Sequence, residues 1–283
     1  KKCKAFLRVP TRLKQMKLDI LDNSKNKVGE ISLPMQFGED VRVDLVKRAV
    51  LALQSGRKQA YGAMKEAGKR ASANLSKRRK KYRGMYGFGI SRTPRKILSR
   101  RGTRMFWVGA VSPNTVGGRK AHPPKAEKEL QKKVNKKERK KAIRSAISAT
   151  VISELVKKRG HILPDNYPFV LDKKFEDVSK TKDIMGSLKV FGLEKELLRM
   201  DKTKIRSGRG KSRGRKYRIK KGPLIVVSKE SNIKKAAGNI PGIDIVDVKK
   251  LNVELLAPGH IPGRLTLWTA GALEKMEKEK LFM

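Results

Sequence analysis

Apolar positions recur with clear periods through most of this chain and with none through one long stretch. Leu18 and Ile20 alternate with polar neighbours, Asp22-Asn23-Ser24 reads as a turn, and residues 28–33 alternate again, so a β-hairpin is predicted. Residues 40–54 read as a helix, with Leu45, Ala49, Val50 and Leu53 on one face and Lys47 and Arg48 opposite. A long helix in two pieces is predicted after Pro123-Pro124. Asn135 is its candidate N-cap, with Glu138 three residues on. Ala142, Ile143, Ala146, Ile147, Thr150, Leu155 and Val156 form its apolar stripe, and Arg159-Gly160 closes it. The small residues at 142, 146 and 149 predict close packing against a sheet. Beyond them strands and helices alternate: strand 169–171, helix 180–191 before Gly192, helix 194–200, strand 224–227, helix 232–237 before Gly238, strand 243–248, strand 265–268, and a final helix over 271–281 capped by Thr269. The apolar run 224–227, bounded by Gly222-Pro223, suits a buried parallel strand. The alternation predicts an α/β fold: a mostly parallel sheet with helices on both faces.

Residues 56–125 follow no such period. They hold 20 Lys or Arg and a single acid, Glu66, with Tyr61, Tyr82, Tyr86, Phe88, Phe106 and Trp107 interleaved. A segment so charged repels itself and cannot bury enough apolar surface to fold alone. Loops of this length are rare in compact domains unless they are functional. The expected organisation is a globular α/β domain from 16–55 and 126–283, with 56–125 as a long extended basic arm. Residues 1–15 are basic and patternless, an extension to which no role is assigned, and Met16 is a candidate natural start. A second basic segment, 202–221, holds 11 Lys or Arg and no acid, with glycines at 208, 210 and 214 that let backbone approach phosphates.

The net charge of +45 makes counter-anions part of the functional state. RNA supplies both phosphates for the cations and flat bases for the rings; an anionic membrane fits less well. No apolar run is long enough to cross a membrane, and the first residues lack the apolar core of a signal peptide. Cys3 is the single cysteine, which fits a reducing cytosol and provides neither a disulfide framework nor a thiolate metal site. Gly208-Arg209-Gly210-Lys211-Ser212 lacks the leading glycine of a P-loop, since Ile205 stands there. His122, His161 and His260 lie in no ligand spacing and read as structural or surface residues. Glu274, Glu277 and Glu279 read as solvated partners of helix lysines. No cofactor, metal or enzyme activity is predicted.

Several motifs resemble one family. They are Arg57-Lys58-Gln59-Ala60-Tyr61-Gly62, Ala67-Gly68-Lys69-Arg70, Tyr82-Arg83-Gly84, Gly87-Phe88-Gly89-Ile90-Ser91-Arg92-Thr93-Pro94-Arg95-Lys96 and Gly117-Gly118-Arg119-Lys120-Ala121-His122-Pro123-Pro124-Lys125. Others follow in the same order: Asn135 to Arg139, Ala142 to Ala146, Gly208 to Tyr217, Gly222-Pro223-Leu224, Asn239-Ile240-Pro241-Gly242, Leu256-Ala257-Pro258-Gly259 and Pro262-Gly263-Arg264-Leu265-Thr266. Together they resemble large-subunit ribosomal protein four of the archaeal and eukaryotic type, over residues 16–283. The resemblance implies an α/β domain on the large ribosomal subunit in the cytoplasm, with an arm threaded into large-subunit ribosomal RNA. It implies an arm tip that helps line the peptide exit tunnel, facing ribosomal protein twenty-two and the nascent peptide.

On this reading the arm residues that bind ribosomal RNA are Arg57, Lys58, Tyr61, Lys69, Arg70, Lys77, Arg78, Arg79, Lys80, Lys81, Tyr82, Arg83, Arg92, Arg95, Lys96, Arg100, Arg101, Arg104, Trp107, Arg119, Lys120 and His122. In the second segment they are Lys204, Arg206, Arg209, Lys211, Arg213, Arg215, Lys216 and Arg218. The tunnel tip is placed at Met85, Tyr86, Gly87 and Phe88, inside the charge-free run between the clusters at 77–83 and 92–96. Two rivals are an RNA-modifying enzyme with a basic arm, for which no cofactor motif is present, and a translational repressor of its own messenger RNA, a role known for some bacterial members of the family.

Overall fold

The computed structural model describes residues 16–102, 104–229 and 232–283; the 1–15 extension lies outside them. In chain order the elements are β1 (Lys17–Leu21), β2 (Lys27–Ser32), α1 (Val43–Gly56), β3 (Arg95–Arg101), β4 (Arg104–Gly109), α2 (Lys136–Val151), α3 (Ser153–Arg159), β5 (Val170–Leu171), α4 (Thr181–Val190) and α5 (Glu194–Asp201). They continue with β6 (Lys204–Ile205), β7 (Tyr217–Arg218), β8 (Leu224–Val227), α6 (Ile233–Ala237), β9 (Asp244–Asp247), α7 (Val253–Leu256), β10 (Thr266–Thr269) and α8 (Ala270–Lys278). The chain divides into two compact units, one holding residues up to Gly56 and from Lys132 onward, the other Arg57–Gln131.

The first unit is built on a six-stranded sheet of order β2-β1-β5-β10-β8-β9. Only β1 and β2 pair antiparallel; every other neighbour is parallel. Successive residues of a strand point to opposite faces, and both faces here are covered. Val170, Leu224, Val226 and Trp268 join a core with α1, α2, α7 and α8. Leu171, Ile225, Val227 and Leu267 join a second core with α3, α4, α5, α6 and Phe175. That double burial explains why β8 is apolar throughout and why every position of β10 is buried, and it is the α/β architecture the alternation predicts.

Local signals hold in part. Thr269 accepts the Ala272 N–H at 3.2 Å and starts α8, while Gly160 ends α3 in the left-handed conformation. Asn135 makes no side-chain cap, and Glu138 turns instead to Arg48 at 3.3 Å, so the expected capping pair is absent there. Ala142 and Ala146 are fully buried, in one core with the strand residues Val170, Leu224 and Val226, and α2 also packs against α1 and α7. Glu274 and Glu279 reach across elements to Lys173 and Lys249 rather than pairing within α8.

Buried polar groups tie the strand ends together. Arg264 is fully buried; it donates to the Gly222 carbonyl at 2.8 Å and the Leu255 carbonyl at 3.0 Å, and meets the Asp244 carboxylate at 2.6 Å. Glu176 accepts from the Ser228 N–H, the Ser228 hydroxyl and the Thr269 hydroxyl, joining β8 to β10. Neither network can be read from local sequence.

Candidate nucleic-acid interface

The unit Arg57–Gln131 carries 21 Lys or Arg against three acids, Glu66, Glu127 and Glu129. Its largest regular element is the hairpin of β3 and β4, paired from Arg95↔Gly109 to Arg101↔Arg104 with an irregularity between Ile97 and Ser99. Sequence reasoning missed this hairpin. The one signal was alternation in Arg104 to Val108, where Met105 and Trp107 are half-buried and Arg104, Phe106 and Val108 are exposed. Backbone closure does the rest. A Cβ on Gly68, which has φ +76°, would stand 2.4 Å from the Arg119 nitrogen, so this glycine lets two distant stretches of chain touch.

Rings and guanidinium groups are paired inside the unit. Arg79 and Arg92 lie 5.9 and 5.2 Å from the Tyr86 ring centroid, and Arg92 also donates to the Tyr86 hydroxyl at 3.2 Å. Arg83 and Arg100 each lie 5.5 Å from Tyr82, and Arg95 lies 5.9 Å from Trp107. Such pairings are worth about 0.5–1 kcal/mol each at exposed sites. They hold like charges near one another without acids, since each guanidinium sits against the negative face of a ring.

Arg57, Lys58, Tyr61, Lys69, Arg70, Lys77, Arg78, Arg79, Lys80, Lys81 and Tyr82 are exposed. So are Arg92, Lys96, Arg100, Arg101, Arg104, Lys120 and His122, while Arg83, Arg95, Trp107 and Arg119 are half-buried. At the charge-free turn, Phe88 is 70% exposed but Met85 is buried, its sulfur 3.2 Å from the Arg95 guanidinium. Gly87, with φ +84°, has no atom within 4 Å of where a Cβ would stand.

The second segment is a hairpin of its own. β6 and β7 pair antiparallel, and Arg206 N–H donates to the Lys216 carbonyl at 2.8 Å. Gly208 and Gly214 take positive φ at the two ends of the turn. Lys204, Arg206, Arg209, Lys211, Arg213, Arg215, Lys216 and Arg218 are all exposed. Lys204 sits directly opposite Arg218 across the pair, a like-charge juxtaposition that disfavours the strands unless an anion intervenes. The Gly208 to Ser212 stretch lies in this turn and neither follows a buried strand nor opens an α-helix, as a P-loop would.

His161 reads from the sequence as an ordinary structural histidine, yet it anchors a buried network. Its Nδ1 is 2.7 Å from Glu196, which also meets Arg199 at 2.6 Å and accepts the Ile162 N–H at 3.1 Å. Burial holds the His161 pKa below its ordinary value. For Glu196 burial pushes upward, and the hydrogen bonds from His161, Arg199 and Ile162 overcome it and hold the carboxyl below its usual range. No group of three His, Cys, Asp or Glu among the described residues could hold a metal ion, and no described helix is long and apolar enough to cross a membrane.

The family model described as the ribosomal protein L4/L1 family matches residues 31–279. A large ribosomal subunit protein uL4 from Nanoarchaeum equitans is 51% identical over 268 residues, 94% of this chain and 100% of that protein. Proteins of the same name from Methanococcoides burtonii and Archaeoglobus fulgidus are each 44% identical over 260 and 261 residues, 92% of this chain and 97% of each relative.

Proposed function

This chain belongs to the ribosomal protein L4/L1 family, and from that premise we propose that it is a structural constituent of the large ribosomal subunit that binds large-subunit ribosomal RNA through two basic surfaces. One is the unit Arg57–Gln131; the other is the turn between β6 and β7. The protein works as a ribosomal component of the cytoplasm and is not an enzyme. The observation that carries the reading is the imbalance in Arg57–Gln131, where three acids face 21 cations on a folded scaffold. Such a surface is completed by phosphates, whose condensed counterions it displaces. Exposed rings such as Tyr61 and Phe106 are placed to stack on unpaired bases, each worth about 1–3 kcal/mol.

The finer proposal concerns the turn Met85 to Phe88. Its exposed part, Tyr86 to Phe88, is the portion assigned to the peptide exit tunnel, near ribosomal protein twenty-two and the nascent chain. Met85 is buried, its sulfur against the Arg95 guanidinium, and is left out of that portion. Supporting this is the contrast between an uncharged, glycine-bearing turn and its cationic flanks.

The test is retention of an in-vitro transcript of large-subunit ribosomal RNA by the full chain across a salt series. Tight binding that weakens steeply with salt is the expected result. Binding no stronger than to an unrelated transcript of equal length would reject a specific ribosomal RNA role.

A further inference from the structure

A cavity of 540 Å³ opens in the α/β unit beside the second basic segment. Its lining is mostly cationic: Arg159 and Arg199, with Lys202, Lys204, Arg218, Lys220 and Lys221 from the segment, and His161 beside them. Among the described residues no acid lines it. Ile219, Pro258, Gly259 and Ile261 supply the apolar part of the lining.

The two arginines are fixed in position. Arg159 donates to the carbonyls of Ile261 and Pro258, which ties the loop after α7 to the end of α3. Arg199 is clamped by Glu196 and donates to the Lys221 carbonyl at 2.9 Å. Lys221 is engaged by Asp244 at 3.1 Å. Lys202, Lys204, Arg218 and Lys220, by contrast, make no ion pair among the described residues. Burial, and then the neighbouring charges of Arg264 and Arg199, lower the Arg159 pKa to about 10.

We propose that this cavity seats one unpaired nucleotide of an RNA chain, its phosphate on Arg159, Arg199 and the free lysines and its ribose and base against Ile219, Pro258 and Ile261. A 540 Å³ space falls within the range of small-ligand sites, about 300–1,000 Å³. A lining that combines cations with aliphatic side chains matches a nucleotide better than a bare phosphate, which has no use for the apolar part. A bound phosphate also answers the repulsion between Lys204 and Arg218, facing each other across β6 and β7. The proposal rests on the RNA-binding reading and extends it from the second basic segment to Arg159, Arg199, Pro258 and Ile261, which lie outside both basic segments.

The experiment is amine acylation of the full chain, free and with large-subunit ribosomal RNA, adenosine monophosphate or inorganic phosphate. Lys202, Lys204 and Lys220 are compared with Lys58 and Lys69. Protection of the three cavity lysines by RNA, and by the nucleotide more than by inorganic phosphate, is expected. Equal protection by both small anions would overturn the nucleotide assignment. Protection of Lys58 and Lys69 without the cavity lysines would overturn the site while leaving the RNA-binding reading intact; protection of none would overturn both. A matched pair of variants gives a second readout. K202Q/K204Q/R218Q/K220Q should flatten the dependence of log affinity on log salt by about 0.7–0.9 for each phosphate left without its cation. K182Q/K189Q/K195Q/K278Q, equal in charge and on exposed helix positions, should leave it unchanged; equal slopes for the two variants would overturn the inference.

Discussion

Replacing Arg57–Gln131 with a five-residue Gly/Ser linker should leave the α/β unit folded and somewhat more stable. The geometry permits the exchange, because Ser55 Oγ accepts the Lys132 N–H at 2.8 Å and so holds the two ends of the excursion together within one unit. All six strands of the main sheet and both of its cores lie outside the removed segment. Closing a loop of about 75 residues costs more entropy than closing one of five. Each doubling of length costs about 0.6 kcal/mol, so nearly four doublings give a gain of up to about 2 kcal/mol. That figure is an upper limit, since the removed unit has structure of its own and is stiffer than a flexible loop. Removing 21 cations and three acids also lowers the net charge from +45 to +27, which eases self-repulsion at low salt. Urea denaturation followed by circular dichroism reads the result, with one cooperative transition at a midpoint no lower than that of the full chain. A product that is unfolded, or that melts without cooperativity, would refute the division and place part of the core in Arg57–Gln131.

Four further outcomes follow from the structure. Changing Arg206, Arg209, Arg213 and Arg215 to Ala should weaken RNA binding and flatten its salt dependence by about 0.7–0.9 for each phosphate no longer neutralised, as a filter-binding series would show. Tyr86→Ala with Phe88→Ala should leave subunit assembly nearly intact while altering nascent-chain crosslinking from the turn; collapse of assembly without any such crosslink would move the tunnel tip elsewhere. Asp244→Asn should destabilise the α/β unit by about 3 kcal/mol, measured by urea midpoint, because it strips the fully buried Arg264 of its counter-charge. His161, held neutral by burial, should make stability fall as pH drops below the ordinary value of 6.5, since the unfolded chain then takes up a proton that the folded one refuses. Glu196 adds a second loss below 4.5, because its folded carboxyl resists protonation; His161→Gln should remove the first loss from the pH profile and retain the second.

The parts of the fold that can be read in the sequence are those where burial alone dictates composition. Leu224 to Val227 and Thr266 to Thr269 are covered on both faces, so every position is buried and the strands stand out. Thr269 announces α8 because its cap is made within three residues. What escapes depends on partners remote in sequence. Arg95 to Arg101 reads as plain charge, and becomes a strand only because β4 pairs with it and Arg95 finds Trp107. Arg199 stands three residues after Glu196 on α5, an ordinary helix spacing, but His161 lies beyond the end of α3 and no spacing rule joins it to Glu196. At the candidate interface the charge is evident from composition. The occupancy of its rings is not: Tyr86 looks free to stack, but guanidinium groups lie near its ring. A Lys204–Arg218 pairing is one that strand rules argue against, which is why the second hairpin reads as an irregular segment.

The most direct test of the account is sedimentation of the full chain with large ribosomal subunits from the cell that encodes it, through a sucrose gradient in high salt. A structural constituent held by many buried phosphate contacts stays with the subunit under salt that strips loosely bound basic proteins, and recovery of the chain in the large-subunit fraction is the predicted result. Recovery of the chain at the top of the gradient, with intact large subunits sedimenting without it, would contradict the central claim.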